Sequence, residues 1–136
     1  MLTNRSMPRP TVIPEIGYPD VAEAVEWLTR VFGFTVRLRI ADHRVQLHVG
    51  DGAVVVTEGP EGAGACGHAT MVRVEDVDAH CERARTLGAP IVRPPTTYPY
   101  GERQYTVEDF ARHRWTFSQT VADVDPAASG GTPVNL

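Results

Sequence analysis

The sequence has few cysteines, no long apolar run and few apolar residues at its N-terminus. Cys66 and Cys81 are too few for a disulfide framework, so we expect both to be reduced thiols. No stretch reaches the roughly 18 apolar residues that are needed to cross a bilayer. The polar N-terminus, residues 1–10, lacks the apolar core of a signal peptide. These absences predict a soluble, cytoplasmic protein without a membrane partner.

The chain also lacks an excess of positive charge and the common catalytic signatures. Its formal net charge is −4 and its pI is about 5.7, which argues against a nucleic-acid partner because such proteins need a basic face for phosphates. It contains no Gly-x-Ser-x-Gly elbow, no phosphate-binding glycine loop and no Cys-x-x-Cys pair. The sequence therefore contains none of these motifs that would indicate nucleophilic hydrolysis or nucleotide chemistry.

What the 136 residues do contain is one pattern of elements that occurs twice. In the first half, Asp20 caps a helix of apolar periodicity that Gly33 ends. The predicted elements of this half are a strand at Thr11–Tyr18, a helix at Val21–Phe32 and strands at Phe34–Ile40, Arg44–Val49 and Ala53–Thr57. Short turns between the last three strands predict hairpins.

After a Gly-rich linker at Gly59–Gly67, the same order returns, with Asp76 as the cap and Gly88 at the helix end. The predicted elements of this half are His68–Val74, the helix Val77–Leu87, and strands Pro90–Arg93, Arg103–Val107 and His113–Gln119. Each half thus reads β, α, β, β, β. We expect one domain over residues 10–120, with modules of about 10–58 and 67–120, and a mobile tail over 121–136.

Several short motifs, in this order, resemble the vicinal-oxygen-chelate superfamily, which includes glyoxalase I, bleomycin-resistance proteins and extradiol dioxygenases. They are Tyr18-Pro19-Asp20-Val21 with Val31-Phe32-Gly33-Phe34, Val74-Glu75-Asp76-Val77 with Leu87-Gly88-Ala89, and Tyr100-Gly101-Glu102-Arg103 with His113-Arg114-Trp115-Thr116-Phe117. The resemblance covers about residues 11–119. Phe110 departs from it, because the family usually has proline there. It implies an α+β fold in which two tandem βαβββ modules form a U-shaped mixed sheet, a cup with helices outside, and a homodimer.

The resemblance also implies where a metal would bind. Metal-dependent members use a His, Gln or Glu on the first strand of each module and, typically, a Glu on the last strand. The corresponding positions are assigned to Ile13, Val55 or Val56, His68 and Thr116. One ligand among four gives no chelate, so we expect no metal cofactor. The alternative is a divalent ion such as Zn, Ni, Mn or Fe, held by His68 with Glu15 or Glu58 after a register shift.

Other side chains are candidates for contact with a ligand inside the cup. His68 is the candidate general base, although a core histidine is an equal alternative. Arg114 is suited to clamping a carboxylate or phosphate, and its alternative is a salt bridge at the rim. Tyr98 and Tyr100, in a Pro- and Tyr-rich loop, suit stacking on a planar ligand. The full candidate set is Ile13, Glu15, His48, Val56, His68, Tyr98, Tyr100, Arg103, Arg114 and Thr116.

Two functions follow from these candidates. The first is a metal-free protein of the glyoxalase/bleomycin-resistance type, which binds and sequesters a planar or aromatic small molecule such as an antibiotic. The second is a divalent-metal-dependent lyase, isomerase or dioxygenase of the same superfamily. A third possibility is metal-free acid–base catalysis by His68.

Overall fold

The computed structural model describes residues 2–60, 68–133 and 136. Its contacts divide the chain into two compact units. The N-terminal unit contains the described part of residues 1–66 together with Ala111–His113, and the C-terminal unit contains the described part of residues 67–110 and 114–136. Among the described residues, no helix has the length and apolarity that a membrane crossing requires.

The N-terminal unit is a four-stranded mixed sheet with one helix. Its elements are β1 (Glu15–Tyr18), α1 (Val21–Phe32), β2 (Thr35–Ile40), β3 (Arg44–Val49) and β4 (Gly52–Glu58). The strand order is β1-β4-β3-β2, with β1 parallel to β4 and the other pairs antiparallel. The connection from β1 to β4 passes through α1, β2 and β3. A connection of this length allows β1 and β4 to lie side by side in the same direction.

Helix α1 begins and ends at the residues that the sequence predicts. The Asp20 side chain accepts a hydrogen bond from the Glu23 N–H, and Gly33 ends the helix with a φ of 78°. The buried positions follow the 3.6-residue period and pack on the sheet: Val21, Ala24, Val25, Leu28, Val31 and Phe32. Trp27 packs edge-on against Phe32, with ring centroids 5.0 Å apart.

The C-terminal unit repeats this arrangement. Its elements are β5 (Ala69–Arg73), α2 (Val77–Thr86), β6 (Ile91–Thr97), β7 (Glu102–Glu108) and β8 (Arg114–Thr120). The order is β5-β8-β7-β6, with β5 parallel to β8. The predicted α+β class with two βαβββ modules is therefore confirmed. A short 3₁₀ turn, Pro126–Ser129, follows in the C-terminal segment.

Aromatic side chains form the core under α2. Trp115, Phe117 and Tyr105 are fully buried. The ring of His80 on α2 packs at a tilt against Phe117 with centroids 3.9 Å apart, and its Nδ1 shares a hydrogen bond with the Tyr105 hydroxyl. His80 is thus part of this packing. Burial raises the pKa of Tyr105, which keeps it a neutral phenol.

Two sequence expectations for this unit are wrong. Residues 94–97, expected in a loop, belong to β6. The prolines are tolerated because β6 is an edge strand with register shifts on both sides of Arg93. His113, predicted to begin the last strand, lies outside β8 and belongs to the N-terminal unit, where its Nε2 lies 2.7 Å from the Gly17 carbonyl oxygen and its ring packs edge-on against Tyr18.

Candidate functional site

Each sheet has one face covered by its helix and one face opposite to it, which we call the open face. Because strand side chains alternate, the register assigns each residue to a face. In the C-terminal unit, Trp115 and Phe117 lie under α2, so their neighbours in β8 lie on the other side. The C-terminal open face comprises Met71, Arg73, Glu102, Gln104, Thr106, Glu108, Arg114, Thr116 and Ser118.

Hydrogen bonds connect the polar side chains at the centre of the C-terminal open face. The Thr106 and Thr116 hydroxyls are 3.1 Å apart, and the Gln104 amide donates to the Ser118 hydroxyl over 3.0 Å. Ser118 in turn donates to Glu102 over 2.6 Å. This bond, a second one from Thr120 and the charge of Arg73 hold the pKa of Glu102 below its ordinary value, against partial desolvation. The network fixes its side chains on a rigid strand pair.

Tyr98 and Tyr100 lie at the turn that joins β6 to β7. The Tyr98 carbonyl accepts from the Gly101 N–H, and Gly101 has a φ of 87°, so the turn is tight. The two rings are stacked, with centroids 5.4 Å apart and planes 5° from parallel. The Tyr100 hydroxyl donates to Gln104 over 3.2 Å. This bond ties the ring pair to the C-terminal open face.

Three cationic or apolar side chains complete this surface. Arg93 on β6 donates to the Tyr98 hydroxyl over 2.9 Å. Arg114 lies 3.7 Å from Glu108, and both ends of this pair are partly exposed. Such a contact is a weak surface salt bridge, and it leaves the guanidinium accessible. Met71 offers an apolar side chain that is 64% exposed.

Arg103 does not belong to this surface. It alternates with Glu102 and Gln104, so its side chain lies on the α2 side of the sheet. There it contacts Asp78 through two nitrogens, and it also donates to the Thr97 hydroxyl. The structure therefore places Arg103 against α2, with its guanidinium bound to Asp78, and not among the residues of the open face.

The N-terminal open face comprises Glu15, Arg44, Gln46, His48, Ala53 and Val55. Glu15 forms a 2.7 Å salt bridge with Arg44, and His48 is exposed. Gln46 is only 1% exposed. Its amide donates to the Ser6 carbonyl over 2.8 Å, and its Oε1 accepts from Arg37 over 2.6 Å. This face therefore has hydrogen-bonding partners in the N-terminal segment of the chain.

Val56 and Glu58 lie on the opposite side of β4 from Val55. Val56 pairs with Ile16 and Val45 on the α1 side and is fully buried. It therefore belongs to the core, and Val55 takes its place as the residue beside Glu15. Glu58 shares the face of Val56, so Glu15 and Glu58 point to opposite sides of the sheet and do not form a common ligand set.

The register also corrects the position assigned to His68. Ile13 lies seven residues before the cap Asp20, and the residue seven before Asp76 is Ala69. Ala69 aligns with Arg114 and shares the face of Met71 and Thr116. His68 is exposed and precedes β5 by one residue, so continued alternation would direct it to the other face.

The positions that correspond to metal ligands thus carry Ile13, Val55, Ala69 and Thr116. None of them offers an imidazole, thiolate or carboxylate, which are the groups that bind divalent ions in proteins. Within residues 2–60, 68–133 and 136, no three His, Cys, Asp or Glu side chains come together. The side chains at these positions do not fit a metal centre.

Sequence reasoning missed Arg37, Arg93 and Gln104. Gln104 had an available signal, because it alternates with the core residue Tyr105 in β7. Arg93 and Arg37 had none, since each lies at a register shift in its strand pair. A bulge redirects a side chain in a way that strict alternation does not predict.

Comparison with known proteins identifies the class to which this arrangement belongs. A profile of the Glyoxalase/Bleomycin resistance protein/Dioxygenase superfamily matches residues 12–117. The chain belongs to this superfamily, and the resemblance seen in the sequence is confirmed. A comparison with curated proteins found no match.

Among solved structures, the chain is similar to TioX from Micromonospora sp. ML1, with 36% identity over 85% of this chain and 100% of that chain and a TM-score of 0.70. A glyoxalase/bleomycin resistance protein from Streptomyces sp. CB03234 shares 21% identity, covering 79% and 97% of the two chains, with a TM-score of 0.67. The genomically encoded fosfomycin resistance protein FosX from Listeria monocytogenes shares 16% identity, covering 83% and 94%, with a TM-score of 0.68. The last two show a common fold.

Proposed function

We propose that this protein binds and sequesters a planar aromatic small molecule without a metal ion. The binding surface is the C-terminal open face together with Tyr98, Tyr100 and Arg93. The observation that carries the proposal is the stacked tyrosine pair, which is tied to that face through Gln104.

The tyrosine pair is suited to a flat ligand. The two rings are parallel within 5°, and the Tyr100 ring is 46% exposed, so a third aromatic plane can extend the stack. An offset-stacked aromatic contact contributes about 0.5–1.5 kcal/mol beyond the area that it buries. Hydrogen bonds to Arg93 and Gln104 hold both hydroxyls. The platform is therefore ordered before a ligand arrives, which lowers the entropic cost of binding.

The polar groups around the platform favour a ligand that carries an acid or another acceptor. Arg93 is exposed, and the Arg114 side chain is 54% exposed beside its 3.7 Å contact with Glu108. A guanidinium forms bidentate hydrogen bonds with a carboxylate, which fixes the orientation of a bound molecule. Met71 supplies an adaptable apolar contact.

The residues at the four positions that correspond to metal ligands favour binding over metal-assisted chemistry. Apolar side chains or a hydroxyl occupy these positions in both modules. The proposal therefore assigns the function to binding energy alone. The fold is shared with a protein described as conferring fosfomycin resistance, and the superfamily includes bleomycin resistance proteins. These relatives support an antibiotic as the sequestered molecule.

A pair of matched probes tests the proposal. 2-Naphthoate and its saturated counterpart decalin-2-carboxylate have the same carbon skeleton and charge, but only the first stacks. Isothermal titration calorimetry is expected to show naphthoate binding at least about fivefold tighter, from the stacking contribution of one ring contact. Equal affinity for both acids, or turnover that requires an added divalent ion, would overturn the proposal.

A further inference from the structure

The N-terminal open face is already occupied by the chain itself. Gln46 lies on this face, between the positions of Arg44 and His48, and its amide donates to the Ser6 carbonyl, 40 residues away in sequence. Arg37 donates to the Arg5 carbonyl over 2.9 Å and to Gln46 over 2.6 Å. We call residues 5–8, which these bonds hold, the strap.

The contacts with the strap are of a kind that recognises a peptide backbone. Arg37 and Gln46 donate to two consecutive main-chain carbonyls, those of Arg5 and Ser6. Pro8, two residues further, is buried. The strap is bent rather than extended here, because the Met7 N–H donates to the Asn4 carbonyl over 3.2 Å and closes a turn around Arg5 and Ser6. The site therefore contacts the two central carbonyls of a peptide turn and lies beside one buried apolar side chain.

The side chains of Arg37 and Gln46 are linked to each other, and both donate hydrogen bonds to the strap. Arg37 lies at the register shift between Val36 and Leu38, and its guanidinium bridges Gln46 and the strap. A glutamine that is 1% exposed needs partners for both ends of its amide, and here one partner is the strap. Without the strap, two donors would point at an open sheet face.

We propose that Arg37 and Gln46 form a peptide-binding site on the N-terminal open face, and that the strap occupies it as an intramolecular ligand. The ligand class is a peptide in a turn conformation, or a molecule that presents two neighbouring carbonyl acceptors in the same way. An external ligand of this class has to displace the strap. The residues of this site belong to the N-terminal unit and those of the tyrosine platform to the C-terminal unit. The two proposals use different residues and are tested by different variants.

Trypsin provides a readout on the intact chain. The chain contains no lysine, and the Arg9–Pro10 bond resists trypsin, so Arg5–Ser6 is the bond available before Arg30. Arg37→Ala is expected to speed cleavage at Arg5–Ser6 by roughly tenfold or more, because the strap loses a charge-assisted hydrogen bond. The matched control is Arg39→Ala, an exposed arginine on the same strand, which should leave the rate within about twofold. Equal rates in both variants would overturn the proposal.

A direct binding experiment tests the site itself. The probe is a fluorescein-labelled peptide of residues 4–9, and its anisotropy is followed with three proteins: the full chain, a variant that begins at Pro10, and that shortened variant with Arg37→Ala. The shortened variant should bind the peptide at least about tenfold tighter than the full chain, in which the strap competes at high effective concentration. The shortened Arg37→Ala variant should not bind.

The outcomes separate clearly. Equal binding by the shortened variant with and without Arg37, or equal binding by the full chain, contradicts the proposal. If the shortened variant does not fold, the tryptic comparison on the intact chain decides. In either case the strap variants should bind 2-naphthoate as the unmodified chain does, since they leave the C-terminal open face unchanged.

Discussion

Nε of Arg103 lies 3.0 Å from Oδ2 of Asp78, and Nη2 of the same guanidinium lies 3.0 Å from Oδ1. This bidentate salt bridge joins β7 to α2 on the helix side of the C-terminal sheet. The hydrogen bond from Arg103 and the charge of its guanidinium hold the pKa of Asp78 below its ordinary value, against a smaller opposing effect of desolvation.

A pH dependence of stability follows from this pair. Because the pKa of Asp78 is lowered in the folded protein, its contribution is present above the unfolded pKa of about 3.9 and is lost as the pH falls through the folded value. Asp78→Asn is therefore expected to lower the melting temperature slightly at pH 7. The difference in melting temperature between the variant and the unmodified chain, which is the gap to follow, should shrink as the pH falls below about 3.9. Asp123→Asn, in the C-terminal segment, is the control. A gap that persists unchanged at pH 3 would show that the pair is not its source.

The face assigned to Val56 can be tested with a substitution that keeps side-chain shape. Val56 is fully buried on the α1 side of β4, whereas Val92 in β6 is 43% exposed. Val56→Thr places a hydroxyl in the core and is expected to cost about 1–3 kcal/mol in the free energy of unfolding. Val92→Thr should stay within about 0.5 kcal/mol. Urea denaturation measures both, and equal costs would contradict the assignment.

The Cys81 thiol is expected to resist alkylation. Cys81 lies on the buried side of α2 and is 1% exposed, and burial raises the pKa of its thiol, so little thiolate is available. In a Cys66→Ser background, iodoacetamide should modify the folded protein at least about 100-fold more slowly than the protein in guanidinium, since reaction requires local opening. Mass spectrometry follows the modification. Similar rates in the two conditions would mean that Cys81 is accessible in the folded chain.

The sequence carried enough information for the helices and the repeat, because those signals are local. The limits of α1 are set by Asp20, by apolar residues at helical spacing and by Gly33, and all of these are visible in the chain. The same applies to the paired caps, which reveal two modules. The Cys66 thiol, expected to be reduced, and most of the linker at Gly59–Gly67 lie outside the described residues.

The errors at the site have two different physical origins. The places of Arg103 and His68 depend on signals that the sequence does carry. Arg103 shares the strand alternation of the core residue Tyr105, and Ala69 rather than His68 lies seven residues before Asp76. The contact between Gln46 and the strap could not be predicted, because it joins residues far apart in the chain through main-chain carbonyls that carry no sequence signal. The sequence predicts too short a strand for β6 because prolines usually end a strand. The edge position that tolerates these prolines is a property of the whole sheet.

The most direct test of the account measures 2-naphthoate affinity by calorimetry after exhaustive treatment with a chelator, in the unmodified chain and in a Tyr98→Ala/Tyr100→Ala variant. The account predicts that chelation leaves the affinity of the unmodified chain unchanged and that the double substitution weakens binding about tenfold or more, through the loss of two stacked rings. Tyr98→Phe/Tyr100→Phe, which keeps the rings, should retain most of the affinity. Binding that disappears with the chelator, returns with zinc and is indifferent to both tyrosines would contradict the account.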